Sequence, residues 1–192
     1  MLPDTIHPAL RSAVLELIDA AATNEPLETL GDVLRRHVRR FHALGALVHE
    51  AVEDEVLLHA SPSLTIYHIT LSPGVQYPPH DHRMDALVGI YHGSECNLIH
   101  PPGSAGRLAA ATRQDVIAPN VIHMDANTVH SVANTGTGRS GALHVYLGDL
   151  PGTRRRLWAV DASGPEPFDN ARYLAGARAV TPDSNPRRKD RS

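Results

Sequence analysis

The chain has 192 residues, 42% of them hydrophobic and 20% charged, with a formal net charge of -3. That length suits one domain with an ordinary core, and the charge balance argues against a nucleic-acid partner. No apolar stretch approaches a membrane span, and the first residues lack the charged start and apolar run of a secretory leader, so a cytoplasmic protein without membrane association is expected.

Residues 1–45 read as a helical segment packed on the rest of the domain. Across residues 8–21, Leu10, Val14, Leu15, Leu17 and Ile18 recur at roughly helical spacing. A second helix is expected to start at Glu25 and Pro26, where proline suits the first turn, and to run toward Phe41 through Leu27, Leu30, Leu34 and Val38. Arg35, Arg36, Arg39 and Arg40 lie mostly off that stripe and read as a solvated face.

From about Ala46 the texture changes. Short runs rich in Val, Ile, Leu, Thr and Tyr alternate with Gly, Pro, Asn and Asp. Strands are expected over 47–51, 55–59, 64–72, 86–92, 95–100, 115–118, 121–125, 130–134 and 141–148. Such closely spaced short strands point to a mainly β sandwich or barrel over residues 46–150. Residues 151–180 read as a covering segment, with a short helix or extended piece over 154–161. Residues 181–192 are rich in Pro, Arg and Asp, and a disordered tail is expected there.

Thirteen histidines are present, and spacing separates them. His80 and His82 are one residue apart, so on a strand they share a face and can grip one metal ion. They come after Gly74 and five further residues that include Pro78 and Pro79. About fifty residues later His130 stands on a second candidate strand and completes a set of three. Asp81 points away from the pair and reads as a hydrogen-bond acceptor, while Asp125 and Asn127 read as the turn entering His130. His68 reads as structural or exposed, and His92, His100 and His123 as surface or turn residues.

Gly74, five residues, then His80-Asp-His82 resembles the first cupin motif, and His130 with Asn134 resembles the second. The resemblance implies a cupin double-stranded β-helix, a jelly-roll barrel with the N-terminal helices packed outside. Most cupins add a glutamate ligand shortly after the first motif; here Ala86 or Leu87 holds that position. A three-histidine site without that carboxylate resembles the thiol dioxygenase branch, which includes cysteine dioxygenase. Leu143-His144-Val145-Tyr146 also resembles the last core strand of those enzymes. By this resemblance Tyr146 points at substrate or bound oxygen and His144 orients its hydroxyl.

The chain departs from the branch in three ways. Cys96, the only cysteine, is not at the position from which some members crosslink the tyrosine, so no crosslink and no internal disulfide are expected. Ala142 stands where the family has a serine before His-x-Tyr. The family's carboxylate-binding arginine is missing from the early strand, where His59 is found; Arg83, beside the metal pair, is the other candidate for the substrate's anion.

The resulting expectation is one Fe(II) per chain on His80, His82 and His130, and a small thiol oxidised by O2 to its sulfinic acid. The absent arginine favours a mercaptocarboxylate over cysteine. Two other classes fit the same histidines: a cupin metalloenzyme of different chemistry, and a non-catalytic metal- or ligand-binding cupin. A monomer or small homo-oligomer is expected.

Overall fold

The computed structural model describes residues 7–44, 54–103, 106–158 and 164–181. The strand expected over 47–51 and the tail beyond residue 181 lie outside them.

Helix α1 (Pro8–Ala21) begins with proline in its first turn, and the His7 side chain accepts a hydrogen bond from the Ala9 amide at 3.1 Å. Leu10, Val14 and Leu17 form its buried stripe. Leu15 does not belong to that stripe and is 52% exposed. One step past Val14 turns a side chain about 100° around the axis, away from the buried face. Helix α2 (Pro26–Leu44) buries Leu30, Leu34, Val38 and Phe41 and extends past Phe41 to Leu44. Its exposed arginines pair locally, Arg35 with Asp32 at 2.6 Å and Arg36 with Glu16 of α1.

Among the described residues the helices lead into thirteen strands. They are β1 (Glu55–Ala60), β2 (Thr65–Leu71), β3 (Val75–Gln76), β4 (His80–Asp81), β5 (Ala86–His92), β6 (Ser94–Ile99), β7 (Thr112–Ile117), β8 (Asn120–Met124), β9 (Val129–Asn134), β10 (Ser140–Tyr146), β11 (Arg156–Leu157), β12 (Glu166–Pro167) and β13 (Arg178–Ala179). A short helix, α3 (Asn170–Ala175), precedes the last strand. One sheet runs β1-β2-β10-β5-β8. The other joins β12, β11, β4, β9, β3 and β13, with β6 bridging β9 to β7. The pairings are antiparallel, and sequence neighbours repeatedly fall in opposite sheets. This is a jelly-roll, the double-stranded β-helix, with both N-terminal helices outside it.

Strand β10 lies at the centre of the first sheet and shows how its two faces are used. Leu143 and Val145 join the core shared with α1 and α2. Ala142 and Tyr146 join the core inside the barrel with Val88, Ile90 and Met124. The period-two alternation of a strand produces this division. Helix α2 comes so close to β5 that a Cβ on Gly89 would lie 2.7 Å from Val38 and 2.9 Å from Leu34. Only glycine admits the helix at that depth.

The segment expected over 154–161 as helix or extended piece is extended where described. Its strand β11 covers one end of the barrel by pairing with β4, Leu157 opposite His80. Residues 159–161 lie outside the described residues.

Candidate metal centre

His80 and His130 are direct cross-strand partners on β4 and β9. Their ring centroids are 4.6 Å apart. His82, just past the end of β4, brings its ring to 5.0 Å from each of the other two. The three are buried, and their candidate ligand atoms all lie within 4.8 Å of one another. The cluster contains no carboxylate and no cysteine among the described residues. Ala86, at the position of the usual glutamate, is fully buried on the inner face of β5, and Leu87 turns outward to the helices.

The hydrogen bonds of the rings fit them to a metal. His80 Nδ1 lies 3.1 Å from the Pro78 carbonyl, which can only accept, so the proton sits on Nδ1 and Nε2 keeps its lone pair. His130 Nδ1 lies 2.9 Å from Asn97 Oδ1, with the same consequence. His130 Nε2 is then buried with no partner in the protein, and so is His82 Nδ1. Burial draws His80 down to about 4, and burial with mutual repulsion draws His82 and His130 well below the ordinary histidine value. Three neutral imidazoles converging on one point form a donor set suited to a divalent transition metal.

The three histidines open onto a cavity of about 70 Å³. His144 and Tyr146 line it, with His144 Nδ1 3.1 Å from the Tyr146 hydroxyl. The Tyr146 ring lies 4.9 Å from that of His82. Burial raises the Tyr146 hydroxyl well above its usual range and draws His144 down to about 3. Both are therefore neutral near physiological pH.

Neither residue considered for the substrate's anion lines the cavity. Arg83 has a positive φ of 62°, is 47% exposed at its side chain, and lies 3.9 Å from Asp81. His59 stands on edge strand β1, where the pairing with β2 is irregular between Leu57 and His59. The cation in the cavity is Arg155, which sequence reasoning did not single out. Its guanidinium lies 3.8 Å over the Phe168 ring. The available signal was the run Arg154-Arg155-Arg156 just after the last core strand, where extended alternation sends neighbours to opposite sides. Arg156 goes to Asp81, and Arg155 goes to the cavity.

Tyr77 and Tyr173 are two further cavity residues that the sequence did not reveal. Their rings stack at 5.0 Å, and Tyr173 stands edge-on to His80 at 4.9 Å. Tyr173 is held there by α3, which is capped by Asp169 accepting from the Arg172 amide at 2.8 Å. The remaining histidines lie elsewhere. His68 faces the helices and meets the Tyr91 hydroxyl at 2.6 Å, His100 meets Ser131 at 2.8 Å, and His123 meets Asp85 at 2.7 Å. Asp125 accepts from the Asn127 amide and the Thr128 hydroxyl in the turn before β9.

The fold and the three-histidine cluster define a double-stranded β-helix barrel with a site able to bind a metal ion. No family model matches the sequence. Among solved structures, a cupin superfamily protein from Desulfitobacterium hafniense is 20% identical over 52% of this chain and 84% of its own, with a TM-score of 0.42. A Klebsiella pneumoniae protein with a double-stranded β-helix domain is 12% identical over 59% of this chain and 87% of its own, with a TM-score of 0.45. Bacillus subtilis oxalate decarboxylase, which has Mn(II) centres, is 17% identical over 55% of this chain and 28% of its own, with a TM-score of 0.43. No described helix is long and apolar enough to cross a membrane.

Proposed function

We propose that the protein is an Fe(II)-dependent thiol dioxygenase that converts a small mercaptocarboxylate and O2 to the corresponding sulfinic acid. The observation carrying this reading is one small cavity shared by three neutral histidines, the His144–Tyr146 pair and the Arg155 guanidinium. Both oxygen atoms of O2 end on sulfur, and the sulfur supplies every electron that O2 takes up, so no further reductant is needed.

His80, His82 and His130 would hold the Fe(II), which would supply the redox chemistry and favour the sulfur as thiolate. As neutral ligands, the three histidines would leave the ion's charge uncompensated. Arg155 offers a planar fork for the substrate's carboxylate, and the Phe168 ring beneath it fixes the plane of that fork. Tyr146 presents a protonated hydroxyl beside His82, and His144 orients it. The rings of Tyr77, Phe168 and Tyr173 help wall the cavity from water.

Arg155 changes the reason for expecting a mercaptocarboxylate. The arginine absent near His59 is replaced by one from another segment, so the carboxylate has a guanidinium partner. An ammonium group in the same small cavity would then face both Arg155 and a dication, and repulsion at short range disfavours it. A thiol acid without an amine avoids that cost.

Anaerobic titration of the Fe(II)-loaded protein with 3-mercaptopropionate, followed by exposure to O2, tests the reading. The expected result is a saturable change in the Fe(II) spectrum and then thiol-dependent O2 uptake. A change without turnover would make the barrel a binding protein. No change at all would remove this substrate class.

A further inference from the structure

Behind the metal ligands the barrel interior carries a second polar set, contributed by β6 and β10. Glu95 and Asn97 alternate with Cys96 and point inward, while Ser140, Ala142, His144 and Tyr146 form the inner face of β10. Glu95, Asn97 and Ser140 are all at most 2% exposed. At one end Ser140 Oγ donates to Glu95 Oε1 at 3.0 Å. At the other, Asn97 holds His130, whose ring neighbours His82, which in turn neighbours Tyr146. Along the inner face of β10, His144 follows Ser140 and Ala142 in the alternation.

His144 Nδ1 meets the Tyr146 hydroxyl, but its Nε2 is buried without a partner. Glu95 Oε2 and Asn97 Nδ2 are buried without partners too. Buried polar atoms of this kind are rare unless something satisfies them, and three in one interior point to a shared partner. Glu95 is also close enough to Tyr146 for its charge to raise the tyrosine's pKa.

We propose that one buried water joins Glu95 Oε2, Asn97 Nδ2 and His144 Nε2, and that through it Glu95 dictates which nitrogen of His144 carries the proton. Three hydrogen bonds are the usual complement of such a water. When Glu95 is a carboxylate, the water donates to it and accepts from Asn97 and from His144 Nε2–H. His144 Nδ1 then accepts the Tyr146 proton, and the phenol oxygen can only accept in the cavity. When Glu95 is protonated, it donates to the water, and the water donates to His144 Nε2. His144 Nδ1–H then donates to the phenol oxygen, and the Tyr146 O–H is free to donate into the cavity. Glu95 is thus a positioning residue acting through His144 on Tyr146. The consequence for turnover rests on the thiol dioxygenase reading, whereas the His144 tautomer does not.

Burial raises Glu95 to about 7, against a hydrogen bond from Ser140 that lowers it, so the changeover falls near neutrality. The other titratable groups around this interior are His80, His82 and His130 of the histidine cluster, His144 and Tyr146 from β10, Tyr67 from β2, and Arg155. Burial pulls the four histidines down and pushes both tyrosines up, leaving Glu95 to titrate between them. Among hydrophobic residues, β5 turns Ala86, Val88 and Ile90 and β7 turns Val116 to this core.

Side-chain nitrogen-15 NMR of the zinc-loaded protein, labelled at histidine, reads the tautomer directly and needs no catalytic activity. As pH rises through the Glu95 transition, His144 should pass from the Nδ1–H to the Nε2–H form. Glu95→Gln keeps an acceptor for Ser140 and should hold His144 as Nδ1–H at every pH. A single tautomer throughout in the wild-type protein would overturn the proposal, and so would the same changeover in E95Q. The wild-type titration decides the matter even if E95Q does not fold.

Discussion

Asp81 accepts two hydrogen bonds from Arg156, Oδ1 from its backbone N–H and Oδ2 from its Nε–H, both at 2.7 Å. Asp81 is fully buried and sits in sequence between two of the three ligands. It turns away from them, as strand alternation requires, and grips the segment that carries Arg155. The strand carrying His80 and the segment carrying Arg155 are thereby joined at one carboxylate. Asp81→Asn keeps the size but removes the charge, and should lower stability by about 2–4 kcal/mol. If the variant folds, it should bind metal normally and show a raised KM for a mercaptocarboxylate, because Arg155 is less well held. Thermal melts, metal analysis and steady-state kinetics check the three parts.

Arg155→Met removes the guanidinium and keeps an apolar side chain over Phe168. The metal content should stay unchanged. The apparent affinity for 3-mercaptopropionate should fall on the order of tenfold to a hundredfold, the loss of a charge-assisted pair. The response to a neutral thiol of similar size should hardly change. Equal losses for both thiols would show that Arg155 supports the cavity wall rather than the carboxylate.

The metal assignment predicts one ion per chain and its loss in His82→Ala, measured by metal analysis after gel filtration. Asn97→Ala tests the ring orientation separately. Removing the partner of His130 Nδ1 should lower metal affinity about 10–100-fold without abolishing binding. Full stoichiometry and wild-type affinity in H82A would remove His82 from the ligand set.

Tyr146→Phe keeps the ring and deletes the hydroxyl that meets His144 at 3.1 Å. Metal content should be retained and turnover should fall on the order of tenfold to a thousandfold. Intact mass should show no loss of two hydrogens from a Tyr–Cys crosslink. Cys96 alternates with the inward-facing Glu95 and Asn97 and so points away from the barrel interior that holds Tyr146.

Acid should destabilise the metal-free protein through its buried neutral histidines. His68 is 3% exposed, pairs with Tyr91, and is drawn by burial to about 4 from an ordinary 6.5. A depressed histidine means that the unfolded chain binds the proton more readily. The stability it contributes is present above the unfolded value and is lost as pH falls from about 6.5 toward about 4. This one residue accounts for up to about 3 kcal/mol. His68→Gln, which can still meet the Tyr91 hydroxyl, should flatten the dependence of denaturation midpoint on pH in that window.

The barrel and the clustering of its three histidines were legible because their signals are periodic and local. His80 and His82 are set by a spacing of two, and the two faces of β10 by alternation of Leu143 and Val145 with His144 and Tyr146. The short strands β3, β4, β11, β12 and β13 have only two residues each, too few to show any period. Arg155, Phe168 and Tyr173 reach the cavity by tertiary packing of the covering segment on β4, which composition does not encode. Glu95 and Ser140 escaped notice for the same reason: their hydrogen bond crosses the barrel between residues 45 apart in sequence.

The most direct measurement of the central claim is aerobic incubation of the Fe(II)-loaded protein with 3-mercaptopropionate under isotopically labelled dioxygen, with the product read by mass. The account predicts the sulfinic acid with both oxygen atoms from labelled O2, one O2 consumed per sulfinate formed, and a slower reaction with cysteine. Absence of thiol-dependent O2 uptake by the loaded protein, or a disulfide as the only product, would contradict it.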